Sequence, residues 1–191
     1  RGAVHQFGYS VSISNTRVLI GSPGQAAAYL YERIDANNWK AWCKIIAPDG
    51  GGGFGHSVSI NGEDIAIGAP SEDKDTTNIT VNGGGANSIP SAGAVYMYYG
   101  ASTDWKKMFI HKIVFFKRAT GDQFGYAVSI SNGKMVVGAP FQDEDERLEN
   151  PLINAGAAHV FFKRIDGTWW WERILTPGDR TATDNFGVSV C

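Results

Sequence analysis

One stretch of seventeen residues, 54–70, FGHSVSINGEDIAIGAP, recurs along the chain and limits what it can fold into. Phe7-Gly8, Phe54-Gly55 and Phe124-Gly125 are each followed, fourteen positions after the Phe, by Gly21, Gly68 and Gly138, which head GSP, GAP and GAP. A fourth Phe-Gly stands at Phe186-Gly187, just before Cys191. Self-similarity of this kind marks a solenoid, a propeller or an array of like units, so every other feature is read against the repeat.

Each copy opens with alternating residues. Val11, Ile13, Val58, Ile60, Val128 and Ile130 share one face while Ser10, Ser12, Ser57, Ser59 and Ser129 take the other, the period of a strand. The turns SNTR, NGED and SNGK follow, and Asn-Gly supports positive φ at both central positions of a type I′ hairpin. A second strand is short and wholly apolar (Val18-Leu19-Ile20, Ile65-Ala66-Ile67, Met135-Val136-Val137), which implies burial on both faces. Its Gly allows close backbone approach and its Pro ends the ladder. A third strand passes from small residues to aromatics, at 26–31, 93–98 and 156–161. Trp39, Trp105 and Trp169 mark a fourth, outer strand.

Four hairpin-connected strands make a blade, and a blade cannot bury both faces alone. The expected fold is therefore all-β: a β-propeller of four-stranded antiparallel blades, three of them plus the first strand of another. Residues 1–191 form one region, with repeats at about 7–53, 54–123, 124–185 and a partial 186–191. Such a chain is expected to be part of a larger propeller or assembly, because uncovered blade faces and edges invite association. Composition agrees: 191 residues suit one domain, and 24 glycines with 12% aromatics suit short strands and tight turns.

The net charge of -2, with both signs interspersed, leaves no electrostatic footprint for nucleic acid. No run approaches the length of a membrane span, and a chain that opens at Arg1 with no signal-like segment reads as processed or partly observed. Cys43 and Cys191 lack metal-like spacing; a disulfide or two isolated thiols both fit. Asn78-Ile79-Thr80 is an acceptor triplet for N-glycosylation, which favours a secreted protein.

The connections between strands 2 and 3 vary most: 22–25, about 71–92, and 141–155. In an up-and-down blade they share one rim with the strand 4 to strand 1 loops, and long variable loops on a rigid scaffold are where binding usually sits. Both long ones begin acidic, Glu72-Asp73-Lys74-Asp75 and Asp143-Glu144-Asp145-Glu146. Asp73, Asp75, Asp143, Asp145 and Asp179 could offer oxygen ligands to calcium; a solvated charged loop is the alternative. Glu72 and Glu144 are candidate partner contacts on the same rim. Asp49, Asp122 and Asp184 precede the Phe-Gly pairs in loops and are read as turn formers. His56 and His159 fill slots that hold Tyr in other copies and are read as packing residues. In Trp169-Trp170-Trp171 the outer two share a face and Trp170 points away, which suits sugar stacking, a protein interface or inter-blade packing. No nucleophile elbow, P-loop or zinc-protease motif is present.

FG, an apolar hairpin, GAP, then small residues before an aromatic: the pattern resembles the FG-GAP repeat, the unit of integrin α headpiece propellers and of many microbial and protist proteins. The resemblance implies an extracellular or cell-surface propeller used for adhesion or recognition. Integrin-type repeats often carry a DxDxDG calcium loop between strands 1 and 2, for which SNTR, NGED and SNGK are too short. In that respect, and in its long acidic 2–3 loops, the chain looks more like the microbial and protist members. The reading that follows is a non-enzymatic binding or adhesion module engaging a protein partner through its long 2–3 loops. A structural subunit of an extracellular assembly and a carbohydrate-binding propeller are the alternatives.

Overall fold

A computed structural model describes residues 5–74, 88–100 and 102–191. Among them, twelve strands form three antiparallel sheets, each ordered as the chain runs. Blade 1 holds β1 (Val11–Ser14), β2 (Arg17–Ser22), β3 (Ala27–Arg33) and β4 (Trp39–Ile46). Blade 2 holds β5 (Ser57–Asn61), β6 (Asp64–Ala69), β7 (Ala94–Tyr99) and β8 (Phe109–Ile113). Blade 3 holds β9 (Ala127–Ser131), β10 (Lys134–Ala139), β11 (Ala157–Lys163) and β12 (Trp169–Leu175). The chain is all-β and built of propeller blades, as the repeat predicts.

Three local details differ from the expectation. Trp105 opens a single helical turn, α1 (Trp105–Met108), and the outer strand of blade 2 begins only at Phe109. Positive φ at both central turn residues occurs only at Asn132 and Gly133; in blade 2 the register pairs Asn61 with Asp64, so Gly62-Glu63 is the turn and Gly62 alone is left-handed. Every outer strand also carries an extra residue, Trp42, Ile110 or Glu172, where the register against the third strand shifts. That bulge bends the blade's outer edge.

Two apolar layers hold the blades together. The first joins Leu19, Leu30 and Ile45 of blade 1 to Val58, Ile60, Ile67 and Tyr98 of blade 2; the second joins Val95, Met97 and Ile113 of blade 2 to Val128, Met135 and Phe161 of blade 3. The recurrent Phe anchors each layer at one end, edge-on to the third-strand ring: Phe54 to Tyr96 at 5.2 Å and Phe124 to His159 at 5.1 Å.

Near the axis the blades meet through backbone. A Cβ on Gly68 would overlap the carbonyl oxygen of Gly125, and the same holds for Gly21 with Gly55 and Gly138 with Gly187. The Gly of GAP in one copy therefore seats the Gly of FG in the next, which no other residue permits. Strand-1 serines complete the joint. Ser10 donates to the Gly55 carbonyl (3.0 Å) and Ser57 to that of Gly125 (2.8 Å), while Ser12 and Ser59 accept from the N–H of Ile60 and Ile130. The polar face of the alternating strand thus points to the following blade and the apolar face to the preceding one.

Blade 1 has no preceding blade among the described residues, and its apolar face is open. Phe7, Val11 and Ile13 are 53%, 66% and 66% exposed, whereas their counterparts Phe54, Val58 and Ile60 are 0%, 7% and 4% exposed.

Candidate functional site

The long loops are built from shared parts. In blade 2 the Asp73 carboxylate accepts the N–H of Ser91 (2.7 Å), closing the base of its 2–3 loop; in blade 3 Asp143 accepts that of Asn154 (2.8 Å). Each base is then gripped from the following 4–1 loop. Arg118 donates to the carbonyls of Asp73 and Lys74, and Arg180 donates to that of Asp143. Both arginines stand six residues before a Phe-Gly, as R-x-x-x-D-[QN]-F-G. This spacing was the available signal, and a reading confined to FG and GAP passes over it. Asp122 and Asp184 in the same motif accept the N–H of Ala119 and Thr181, the turn role expected of them. Backbone bonds run alongside, from Gly121 and Gln123 to the carbonyls of Pro90 and Ser91, and from Thr183 and Asn185 to those of Ile153 and Asn154. The 2–3 and 4–1 loops form one stitched rim.

The acidic candidates separate on that rim. Asp73 and Asp143 close loop bases, and Asp145 accepts from the N–H of Arg147 and Glu149 and from Asn150 Nδ2. These donors, Asn150 first, hold its carboxyl below the usual range. Asp75 and Asn78 lie outside the described residues, and Asp179 is exposed. Among the described residues, no three His, Cys, Asp or Glu side chains gather as a metal-holding group. Cys43 and Cys191 are free thiols; burial pushes the Cys43 thiol up to about 11.

Glu72 is not the exposed rim contact its position suggests. It is 3% exposed, one oxygen 2.9 Å from Lys112 Nζ and accepting the Lys74 N–H, the other accepting the Gly52 N–H. Lys112, on β8, has a side chain fully shielded from solvent and also pairs with Asp49 at 2.8 Å. Asp49 in turn accepts from the Tyr96 hydroxyl at 2.5 Å. A buried ammonium is tolerable only with such partners, and here two carboxylates from two loops supply them. Burial alone would raise the Asp49 carboxyl; the bonds from Lys112 and Tyr96 outweigh it and hold it below its ordinary value. Asp49, expected as a turn former, thus fastens the loop entering blade 2 to that blade's outer strand.

The same place in blade 3 is filled differently. Counting from the GAP glycine, Glu72 corresponds to Gln25 and Gln142, and register places Ile174 where blade 2 has Lys112. His159, in the slot of Tyr96, is fully buried between Phe115 and Phe124, with Nε2 2.7 Å from Gln142 Oε1. The amide oxygen can only accept, so Nε2 carries the hydrogen. Burial lowers His159 to about 3 from an ordinary 6.5. The unfolded chain therefore takes up a proton below about 6.5 that the folded one refuses until about 3, and stability is lost as pH falls between them, by about 1.4 kcal/mol per pH unit. Urea midpoints at pH 7 and pH 4 should converge in His159→Tyr, which restores the residue of the other blades.

Glu144 is half-buried, with Oε2 enclosed and lacking a hydrogen-bond partner. Burial, with the charges of Glu144 and Asp143 adding to it against the Ala119 N–H, pushes the Asp122 carboxyl up to about 7. Trp170 sits elsewhere. It pairs with Phe162 beside the turn at 164–168, at the end of the blade opposite the long loops. It is 51% exposed, pointing away from Trp169 and Trp171 as alternation requires, and the Arg164 guanidinium lies 4.6 Å over its ring.

A row of rings lines the rim's inner side. His56 packs at a tilt between Tyr9 (4.9 Å) and Tyr126 (4.5 Å), all three standing directly after an FG. His56 Nδ1 donates to the Tyr126 carbonyl, which leaves Nε2 to accept from the Tyr9 hydroxyl.

A family model described as the FG-GAP repeat matches residues 39–98 and 112–161, together more than half of the chain. The chain belongs to the FG-GAP repeat family. Each match runs from the outer strand of one FG-GAP blade through the first three strands of the next, so the unit spans a joint between blades. No curated protein matches the chain. FG-GAP repeats occur in extracellular adhesion and integrin-like proteins. Among the described residues no helix is long and apolar enough to cross a membrane.

Proposed function

We propose that this FG-GAP chain is a non-enzymatic binding module, extracellular or at the cell surface, that engages a protein partner through the rim of its 2–3 and 4–1 loops. The observation that carries the reading is the stitched rim. The sheets spend their side chains on packing against each other, while the long loops are gripped at their bases by Arg118 and Arg180, and in blade 3 the loop leaves its tip outside the core. A rigid base under a variable tip suits recognition. Glu146, Arg147, Glu149 and Asn150, all exposed, form the described tip in blade 3. Replacing 146–150 with a Gly-Ser spacer should abolish adhesion of protein-coated beads to immobilised matrix proteins, while the thermal midpoint stays within a few degrees. Adhesion that survives the replacement rules out this loop as the contact.

A second reading is a structural subunit of a larger assembly, with the exposed apolar residues of blade 1 as the surface to test. Sedimentation of the chain would then show self-association that Ile13→Asp, at a 66% exposed site, removes. Trp170, half-exposed and partly covered by Arg164, is the residue on which a carbohydrate-binding role would rest.

A further inference from the structure

Both seams between blades end in an ion pair at the end of the blades opposite the long loops. Arg17, the first residue of β2, reaches Glu63 (2.5 Å) and the Gly100 carbonyl (2.8 Å) of blade 2. Asp64, the first residue of β6, is met by Lys163 of blade 3 (2.5 Å). The two receiving groups share one corner of their blades, where the hairpin turn touches the end of the third strand: Gly100 N donates to the Glu63 carbonyl, and Lys163 N to that of Gly133. The earlier blade gives the cation in one seam and the anion in the other, so each pair matches particular blades rather than any two.

Blade 3 presents the first half of a third such seam on the face turned away from blade 2. Lys134 stands in register where Arg17 and Asp64 do. Val136, Val160 and Leu175 stand where blade 1 has Leu19, Leu30 and Ile45, all buried against blade 2. On blade 3 the two valines are half-buried and Leu175 is 40% exposed. The seam on this face is already begun. Phe186 N donates to the Ala155 carbonyl (2.9 Å) as Phe124 N does to that of Ala92 (3.0 Å), and the Gly187 carbonyl oxygen fills the place of a Cβ on Gly138. Phe186-Gly187 thus sits on blade 3 as the opening of an FG-GAP blade does. Lys134, with its side chain 57% exposed, turns back to Glu172 of its own blade (2.6 Å).

We propose that this face of blade 3 is an interaction surface for an FG-GAP blade that carries an Asp or Glu at the corner facing Lys134, and that Lys134 selects its neighbour by charge. The carboxylate takes Lys134 from Glu172, and the incoming apolar face covers Val136, Val160 and Leu175. A second copy of this chain is the wrong occupant. The corner of its blade 1 joins Thr16 to Arg33, whose N–H bonds the Thr16 carbonyl, and would set a guanidinium against the ammonium. The surface is separate from the rim loops and from the exposed face of blade 1.

The full chain lengthened after Cys191 by a copy of residues 130–175 is the probe. Cys191 stands where Ser129 does in its repeat, so the copy continues the unit in register, and the loop before it, 176–185, equals 114–123 in length. The copy brings its own Lys163 to the corner, or a carboxylate once the copy carries Lys163→Glu. Hydrogen exchange in the added strands should be about threefold slower or more for the Glu copy than for the Lys copy. The order should reverse when blade 3 carries Lys134→Glu, an exposed site whose exchange leaves folding intact, and about 0.5 M NaCl should shrink both differences. Fast exchange of the added strands in all four combinations overturns the proposal, and so does exchange slowed equally whatever the signs. Concentration-dependent shielding of the Val136 and Val160 methyls in the unlengthened chain overturns it as well, by giving this face to a second copy.

Discussion

Gly68→Ala costs more than about 4 kcal/mol and leaves a chain that is largely unfolded or has its blades parted, read by urea denaturation and by loss of the upfield methyl signals of the inter-blade core. The added methyl overlaps the Gly125 carbonyl oxygen, a backbone atom fixed by its own hydrogen bond to Ser57, and the only escape is to move blade 3 outward. That movement strips the layer joining Val95 and Met97 to Val128 and Phe161. Gly178→Ala is the control, since a Cβ there meets nothing within 4 Å; it should change stability by no more than about 0.5 kcal/mol. Equal tolerance of the two substitutions would show that the joint is not close-packed.

Lys112→Met should cost about 3–5 kcal/mol at pH 7, because Asp49 and Glu72 remain buried after their cation is gone. The loss has a pH signature. In the native chain Asp49 is held below its ordinary value, so its contribution is present above about pH 4 and fades as pH falls. Without the ammonium, burial of Asp49 dominates and its protonation becomes favourable, so the variant's deficit should shrink between pH 7 and pH 4. Adding Glu72→Gln and Asp49→Asn should recover most of the stability, since blade 3 holds the equivalent place with Gln142 and Ile174. A deficit independent of pH, or unmoved by the added substitutions, would assign the cost to packing alone.

Strands, sheet order, core faces and the Phe-Gly joint were legible because they repeat, and a period of two along β1, β5 and β9 names its own buried side. The charged cluster was not, for a physical reason. Lys112 lies 63 residues from Asp49, beside His111 in a short outer strand, and its partners come from two different loops. Glu72 looked like the start of an exposed acidic run because nothing in its neighbours announces a buried cation. Trp105 reads as a strand residue from the sequence because a single helical turn leaves no periodicity to detect. Trp170, by contrast, follows from alternation alone, although its separation from the acidic loops depends on which end of the blade each occupies.

The glycine joint and the Lys112 cluster pull in opposite directions when units are copied. Socket and plug near the axis are the same in every copy, so a duplicated or deleted blade would still find its neighbour. The outer charge is not: Lys44 of blade 1 and Lys112 of blade 2 stand at the place that Ile174 takes in blade 3, and Lys112 is buried against the Asp49 that arrives from blade 1. A shuffled chain would therefore close its backbone joints and yet strand a lysine or a carboxylate in the interior. The neighbours of blade 3 are thus set apart by buried charge as well as by shape, because its Ile174 offers nothing to a carboxylate like Asp49.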